Sequence, residues 1–170
     1  MSTLPSTLVA FEQAQGLPLA QGPLLKGRSE WTDGRVCITD ADIPPRQLTP
    51  IHKHAYESQT VLVVSGRLAF WVEGSEVAEL GAGGYAYRPV GLYHSLWNPT
   101  DEPAHAVEVT SPGDRFQAYM LEISELTEAG RADKDTIVAA AARAGVTFTD
   151  EGMDELCETY GLTPATVFWK

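Results

Sequence analysis

The chain has 170 residues, of which 44% are hydrophobic and 21% charged, and its formal net charge is −11. This composition is typical of one globular domain that is long enough to bury a core. The acidic excess argues against nucleic acid and against membrane surfaces as partners, because both attract clustered Lys and Arg.

The start of the chain has no features of a leader segment or a membrane anchor. Residues 1–16 lack a basic region followed by a long apolar run, so we expect no signal peptide. No stretch approaches the roughly 18 apolar residues that span a bilayer. Cys37 and Cys157 lie far apart without a paired-motif spacing. We therefore expect a cytoplasmic protein with two reduced thiols.

The first two thirds of the chain consist of short apolar segments between Pro and Gly turns. Residues 1–30, rich in Pro, Gly and Leu, are interpreted as an irregular arm. Pro44 and Pro45 lack a backbone donor, so residues 42–49 are predicted to be an edge strand or a loop. Residues 61–64 are apolar at every position, which favours a strand buried on both faces. Further strands are predicted over 35–39, 67–72, 76–80, 85–88, 94–98 and 104–110. Short strands at this spacing predict a β-sandwich or barrel.

The pattern changes after Pro112-Gly113. Apolar residues at helical spacing predict a helix over 116–126. A second helix is predicted to begin at Asp133 or Asp135 and to run through Arg143, before Gly145. A third is predicted over 153–160. The chain is therefore predicted to be mainly β, with a helical C-terminal extension.

Three of the four histidines have the spacing of a metal site. His52 and His54 lie two residues apart, so on a strand both side chains project from the same face. His94 follows a Pro-Gly turn and can close on the same point. Three converging imidazoles suit a first-row divalent metal.

These residues fall on two motifs that resemble those of the cupin superfamily, whose double-stranded β-helix is a jelly-roll barrel. His52, His54 and Gly66 match the first motif, with Gln59 in its usual Glu position. The second motif is matched at every defined position, by Gly83, Pro89, Gly91, His94 and Asn98. The resemblance implies a cupin barrel with an N-terminal arm over 1–112, its motif core at 46–98. Residues 113–170 would then pack on the barrel or at a dimer interface.

The resemblance also implies one divalent transition metal (Fe, Ni, Mn, Co, Cu or Zn), held by His52, His54, His94 and Gln59. A carboxamide cancels none of the metal's charge, so Gln59 leaves it at +2 and favours a more acidic bound oxygen. Alternatively, Glu57 supplies the carboxylate. In a third arrangement, three His and waters hold the ion while Glu57 acts beside it as a general base.

Two more residues depart from, or lie outside, the motifs. Arg46 stands where the first motif has Gly. We interpret it as a local change in the turn; the alternative is that it reaches the barrel mouth and meets an acidic substrate group. His105 is interpreted as a surface strand residue without a role in the site.

The helical tail is similar to that of small bacterial single-domain cupins of the quercetin-dioxygenase type. This implies a metal-dependent dioxygenase for a flavonol-like or polyketide-like aromatic or enolic small molecule. A non-oxidative metal cupin of secondary metabolism (isomerase, cyclase, decarboxylase or lyase) is the second hypothesis, and a small-molecule-binding protein without turnover is the third. The expected partners are a small-molecule substrate, dioxygen in the oxidative case, and a second copy of the chain in a homodimer.

Overall fold

A computed structural model of the chain describes residue 10 and residues 15–165. Most strands come first in the chain and the α-helices follow them, as the sequence predicts. The first strands are β1 (Leu17–Pro18), β2 (Leu24–Gly27), β3 (Cys37–Ile43), β4 (Gln47–Leu48), β5 (His52–His54), β6 (Ser58–Ser65) and β7 (Arg67–Val72). They are followed by β8 (Ala78–Gly81), β9 (Tyr85–Arg88), β10 (His94–Trp97), β11 (Ala104–Ser111), β12 (Val146–Phe148) and β13 (Thr163–Pro164). The α-helices are α1 (Asp114–Glu128), α2 (Lys134–Ala144) and α3 (Met153–Tyr160), and a short 3-10 helix covers Ser29–Thr32.

The strands form two sheets that face each other. One sheet has the order β1-β2-β3-β11-β6-β9. In the other, β10 is central: β5, β4 and β7 all pair with it, and β12, β13 and β8 extend these pairs outward. A buried cluster that includes Val63, Phe70 and Leu96 fills the space between the sheets. The predicted mainly β fold with C-terminal helices is confirmed.

Strand β6 shows how alternation directs side chains into the barrel. Gln59, Val61 and Val63 are buried, whereas Leu62 and Val64 are more than two-fifths exposed. The prediction that residues 61–64 are buried on both faces is therefore wrong. Leu62 and Val64 form an apolar end of the outer face of β6 that carries no covering layer within the described residues. Because the period is two, Gln59 faces inward with the core valines.

The segment before the barrel is more regular than predicted. Strands β1 and β2 pair with each other, and β2 pairs with β3. Within residues 17–27, the predicted irregular arm is thus an extension of the first sheet; residues 1–9 and 11–14 lie outside the described residues. Strand β3 continues to Ile43 before Pro44 ends it, and β4 is the short edge segment that the prolines allow.

The C-terminal extension packs on the barrel and also joins it. Phe116 and Ile123 of α1 share a buried cluster with Leu25 and Cys37 of the first sheet. Helix α2 has an N-terminal capping box at Asp133, as one of the two predictions had it, and it ends at left-handed Gly145. Strand β12 pairs with β5, which the sequence did not predict. Whether residues 113–170 form a separate domain stays a prediction. None of the helices in the described ranges is long and apolar enough to span a membrane.

Two turn positions explain why the motifs contain glycine. An added Cβ at Gly66 would lie 2.9 Å from the Cα of Ala104, and its φ is +74°. Arg46, at the position where the first motif has glycine, also adopts a left-handed conformation, with φ +55°. Its Nε donates to Asp101 at 2.8 Å in an exposed ion pair. Arg46 therefore changes a local turn, as predicted.

His105 corrects another prediction. It is buried rather than on the surface. Its Nδ1 lies 2.7 Å from Asp42, and its Nε2 lies 3.3 Å from Asp40, which also pairs with Lys26 at 3.0 Å. The register sets His105 opposite Asp42 on β3, a pairing that the sequence alone does not reveal.

The two cysteines are free, as predicted, and their different burial predicts different reactivity. Burial raises the pKa of Cys37 to about 12; partial burial and the nearby Asp154 also raise the pKa of Cys157, but its thiol remains accessible. We expect one fast-reacting thiol per native chain with a thiol reagent at pH 8, and two after denaturation, because the thiolate is the nucleophile. Cys157→Ser should abolish the native reaction; rapid modification of Cys37 in that variant would contradict the packing described here.

Candidate metal centre

Strand pairing brings the three predicted histidines together. His52 on β5 lies directly opposite His94 on β10, and His54 follows on the same face of β5. The ring centroids of His52 and His94 are 4.5 Å apart, and those of His52 and His54 are 5.1 Å apart. One ligand atom from each of the three rings lies within 4.8 Å of the others. The convergence expected from spacing is therefore realised in the fold.

Backbone carbonyls orient two of the rings. Nδ1 of His52 lies 2.7 Å from the carbonyl of Pro50, and Nδ1 of His94 lies 3.1 Å from the carbonyl of Leu92. A carbonyl oxygen can only accept, so Nδ1 carries the hydrogen in both rings and donates it. Nε2 is then left with a lone pair. This is the tautomer that a metal-binding imidazole needs.

Burial keeps these rings uncharged. Desolvation lowers the pKa of His52 and of His94 well below the ordinary value, and the neighbouring histidines and Arg88 lower it further. Neutral imidazoles are the form that binds metals.

Unpartnered buried polar atoms gather at the same place. In the part of the chain that the structure describes, ten buried side-chain N or O atoms lack a hydrogen-bond partner. Seven of these atoms belong to residues that line or back the site: His54 (two atoms), Glu57, Gln59, Arg88, His94 and Tyr119. Buried polar groups without partners are costly, so such a concentration indicates a place for a ligand. The three His and their geometry fit a divalent transition metal.

Gln59 reaches the same cavity from the first sheet. It lies opposite Arg88 on β9 and Thr110 on β11. Its Nε2 donates to Glu108 at 2.9 Å, which fixes the orientation of the amide. Its buried Oε1 has no partner. The oxygen is thus the free end of the side chain, as the predicted ligand role requires.

Glu57 lies behind the site rather than in it. Its carboxylate is buried, with Oε2 at 3.4 Å from Nδ1 of His54, and it is absent from the cavity lining. That position corresponds to the Nδ1 anchors of the other two rings. The structure places Glu57 against the ring of His54. Its predicted role as a general base stays a prediction.

A buried ion pair completes the polar wall and was missed from the sequence. Arg88 is 2% exposed, and its Nη2 donates to Oε2 of Glu108. Glu108 also receives Gln59 and, at 3.4 Å, the hydroxyl of Thr110. Glu108 is the one acidic residue in the apolar run of β11, and it lies two residues before Thr110, on the same inward face of the strand. This isolated acidic residue was the signal in the sequence that could have indicated the ion pair.

The cavity is small and mostly apolar. Its volume is ≈160 Å³. Much of its wall comes from the extension: Phe116 and Tyr119 of α1, and Phe148 of β12, which packs on His52 with centroids 5.8 Å apart. By contrast, Tyr85 and Tyr87, which share one face of β9, are exposed on its outer side. The aromatic lining is therefore supplied mainly from outside the motif region.

Comparison with known proteins agrees with this fold. The family model of the cupin domain matches residues 39–110. No curated protein matches the chain. Among solved structures, the chain is similar to an uncharacterized conserved protein with a double-stranded β-helix domain from Klebsiella pneumoniae. The identity is 22% and the TM-score 0.52, over 64% of this chain and 93% of that one.

Two further similarities are more distant. One is to the DMSP lyase DddQ from Ruegeria pomeroyi, at 22% identity and TM-score 0.43, over 46% of this chain and only 39% of the lyase. The other is to a predicted oxalate decarboxylase from Thermotoga maritima, at 19% identity and TM-score 0.49, over 52% of this chain and 77% of that one. These likenesses concern the fold. Residues 39–110 thus match the cupin domain, and the two facing sheets have the double-stranded β-helix fold of that domain.

Proposed function

We propose that this cupin is a metal-dependent enzyme acting on a small enolic molecule inside the barrel. The observation that carries the proposal is the convergence of three imidazoles, of which His52 and His94 are kept neutral by burial and donate through Nδ1 to backbone carbonyls. His52, His54 and His94 would hold the ion, with the oxygen of Gln59 as a fourth neutral donor. A divalent ion supplies Lewis acidity, which lowers the pKa of a substrate hydroxyl or enol.

The residues of the chain contribute orientation and exclusion of water. Phe116, Phe148 and Tyr119 surround the space beside the histidines with apolar surface. In such surroundings charge interactions are stronger than in water, and an electron-rich enolate is protected from competing reactions. Glu57 would keep the ring of His54 in place, since a carboxylate on the far nitrogen orients a metal-binding imidazole.

The size of the cavity narrows the substrate class. An engineered cavity of about 150 Å³ in another protein holds a benzene molecule. The cavity of ≈160 Å³ described here therefore suits a single ring or an open-chain compound. A three-ring flavonol would have to extend out of this space into the neighbouring pocket that shares Ala41, Ile43 and Thr49 with it. We accordingly propose a smaller enolic or phenolic substrate than the quercetin-dioxygenase resemblance implies.

Within this class, the leading reaction is dioxygenation, in which an enolate gives up electrons to dioxygen and both oxygen atoms enter the products. The mostly apolar cavity supports it, because such walls exclude water from an electron-rich enolate. One observation favours the non-oxidative alternative of an isomerase, cyclase, decarboxylase or lyase. The Glu108 carboxylate lies in the cavity wall beside Gln59. There it could accept and return a proton in enolate chemistry that needs no oxygen.

Metal content tests the proposal most simply. We expect wild-type protein to bind about one equivalent of Co²⁺ or Zn²⁺, measured by titration and elemental analysis. His52→Gln and His94→Gln should reduce this to near zero at micromolar protein. His105→Gln is the matched control, because it removes the fourth histidine, which lies outside the cluster. Equal metal content in all variants would contradict the site.

The role of Glu57 is tested by charge removal without a change in shape. We expect Glu57→Gln to weaken metal affinity by about 10–100-fold, as loss of such an orienting group does elsewhere. Glu76→Gln removes the same charge from an exposed position and should leave affinity unchanged. If Glu57→Gln instead binds metal normally and lowers only turnover, the general-base prediction is favoured over the orienting role.

The reaction class is tested with small enols under defined oxygen. Metal-loaded protein would be mixed with 2,4-pentanedione or catechol, and oxygen uptake and anaerobic exchange of carbon-bound hydrogen for deuterium in 2,4-pentanedione would be followed. Oxygen uptake supports the dioxygenase. Because this diketone also exchanges spontaneously, exchange faster than in a protein-free solution of the same metal, without oxygen uptake, supports the non-oxidative enzyme. Neither process with either compound would contradict catalysis on this substrate class and favour a binding protein without turnover.

A further inference from the structure

The polar wall opposite the histidines contains an arginine with unused hydrogen-bonding capacity. Arg88 is 2% exposed, lines the cavity and uses Nη2 on Glu108, while its Nε is buried without a partner. Arginine carries five donors in a rigid planar fork and stays charged at any ordinary pH. A buried donor of this kind is costly unless something in the cavity accepts from it.

The charge of the wall is balanced only until a metal is added. Glu108 offsets Arg88, and Gln59, which stands where other cupins have a carboxylate, offsets nothing. Burial keeps His52 and His94 neutral, and the carboxylate of Glu57 lies on the far side of His54. Even when Glu57 is counted, a divalent ion at the histidines leaves the site with a net charge of about +1, in surroundings of low polarity where an unbalanced charge is costly.

The shape of the cavity limits what could supply the missing negative charge. The space is ≈160 Å³ and its other walls are apolar. It suits a small, mostly apolar organic molecule with one charged group at its end. A carboxylate matches the guanidinium fork better than any point-like anion does, because two parallel N–H donors can meet its two oxygens.

We propose that the substrate is a small monocarboxylate, at most about one ring in size, whose acidic group is held by Arg88. This deepens the proposed function, on which it rests, by naming the substrate class. Arg88 is then the residue that sets specificity, while Glu108 and Gln59 hold it in place from the neighbouring strands. The preference for a carboxylate over its uncharged analogue then comes from the side chain of Arg88.

Binding of a matched pair of probes tests this inference without turnover. Benzoate and benzamide have nearly the same shape and differ in charge. Calorimetric titration of the metal-free protein should show benzoate binding about tenfold more tightly than benzamide, the size of one charge-assisted hydrogen bond. Repeating the titration after zinc loading should increase the preference, because the ion adds positive charge.

Variants assign the preference to Arg88. Arg88→Gln alone leaves Glu108 buried without its partner, so the test variant is the double change Arg88→Gln with Glu108→Gln, which removes both charges together. It should fold and bind the two probes equally. Arg67→Gln is the control, because it removes an exposed arginine that pairs with Glu79 outside the cavity; it should keep the wild-type preference.

The outcomes separate the inference from the proposed function. Equal affinities of wild-type protein for the two probes, or a preference that persists in the double variant, would overturn the role of Arg88. Absence of binding by both probes would overturn it as well. Failure to bind zinc, with the benzoate preference intact, would end the metal-enzyme proposal and leave the carboxylate site standing.

Discussion

The site depends on how the far side of each imidazole is fixed. Backbone carbonyls of Pro50 and Leu92 accept from Nδ1 of His52 and His94, and Glu57 faces Nδ1 of His54. With Nδ1 of His52 and His94 engaged and that of His54 facing Glu57, the inner nitrogens are left to converge in a buried space. Burial then suppresses protonation of His52 and His94, so the same packing that positions them keeps them in the metal-binding form. The carbonyls belong to the chain immediately before each histidine, which makes this orientation a local consequence of strand entry.

The second constraint is the placement of charge around that centre. The motif position that commonly carries a carboxylate holds Gln59, and the carboxylate nearest to it, Glu108, comes from β11 and is shared with Arg88. The cavity thus has an acidic group beside the amide rather than in its place. A carboxylate held by a guanidinium is less available to neutralise a cation, which is the basis for proposing an anionic substrate. The apolar surface from the C-terminal extension limits its size.

Much of this could be predicted from the sequence because it follows from local periodicity. The spacing of His52 and His54 places both on one face of a strand, and Gly and Pro positions mark the turns that bring His94 back. What failed depends on register between distant strands. Gln59 lies opposite Arg88 and Thr110 because β6 pairs with β9 and β11. His105 is buried against two aspartates because β11 pairs with β3. No single segment of the sequence specifies these pairings. Strand β12 was missed for the same reason: it is three residues long and follows a helix, and only its pairing with β5 makes it a strand.

The measurement that tests the central claim most directly is a crystal structure of the zinc-loaded protein, with anomalous diffraction at the zinc edge. The account predicts one strong anomalous peak about 2.0–2.1 Å from Nε2 of His52, His54 and His94. The Nδ1 bonds to Pro50 and Leu92 should stay intact in that structure. A peak elsewhere, or an ion bound through Nδ1 with those bonds broken, would contradict it.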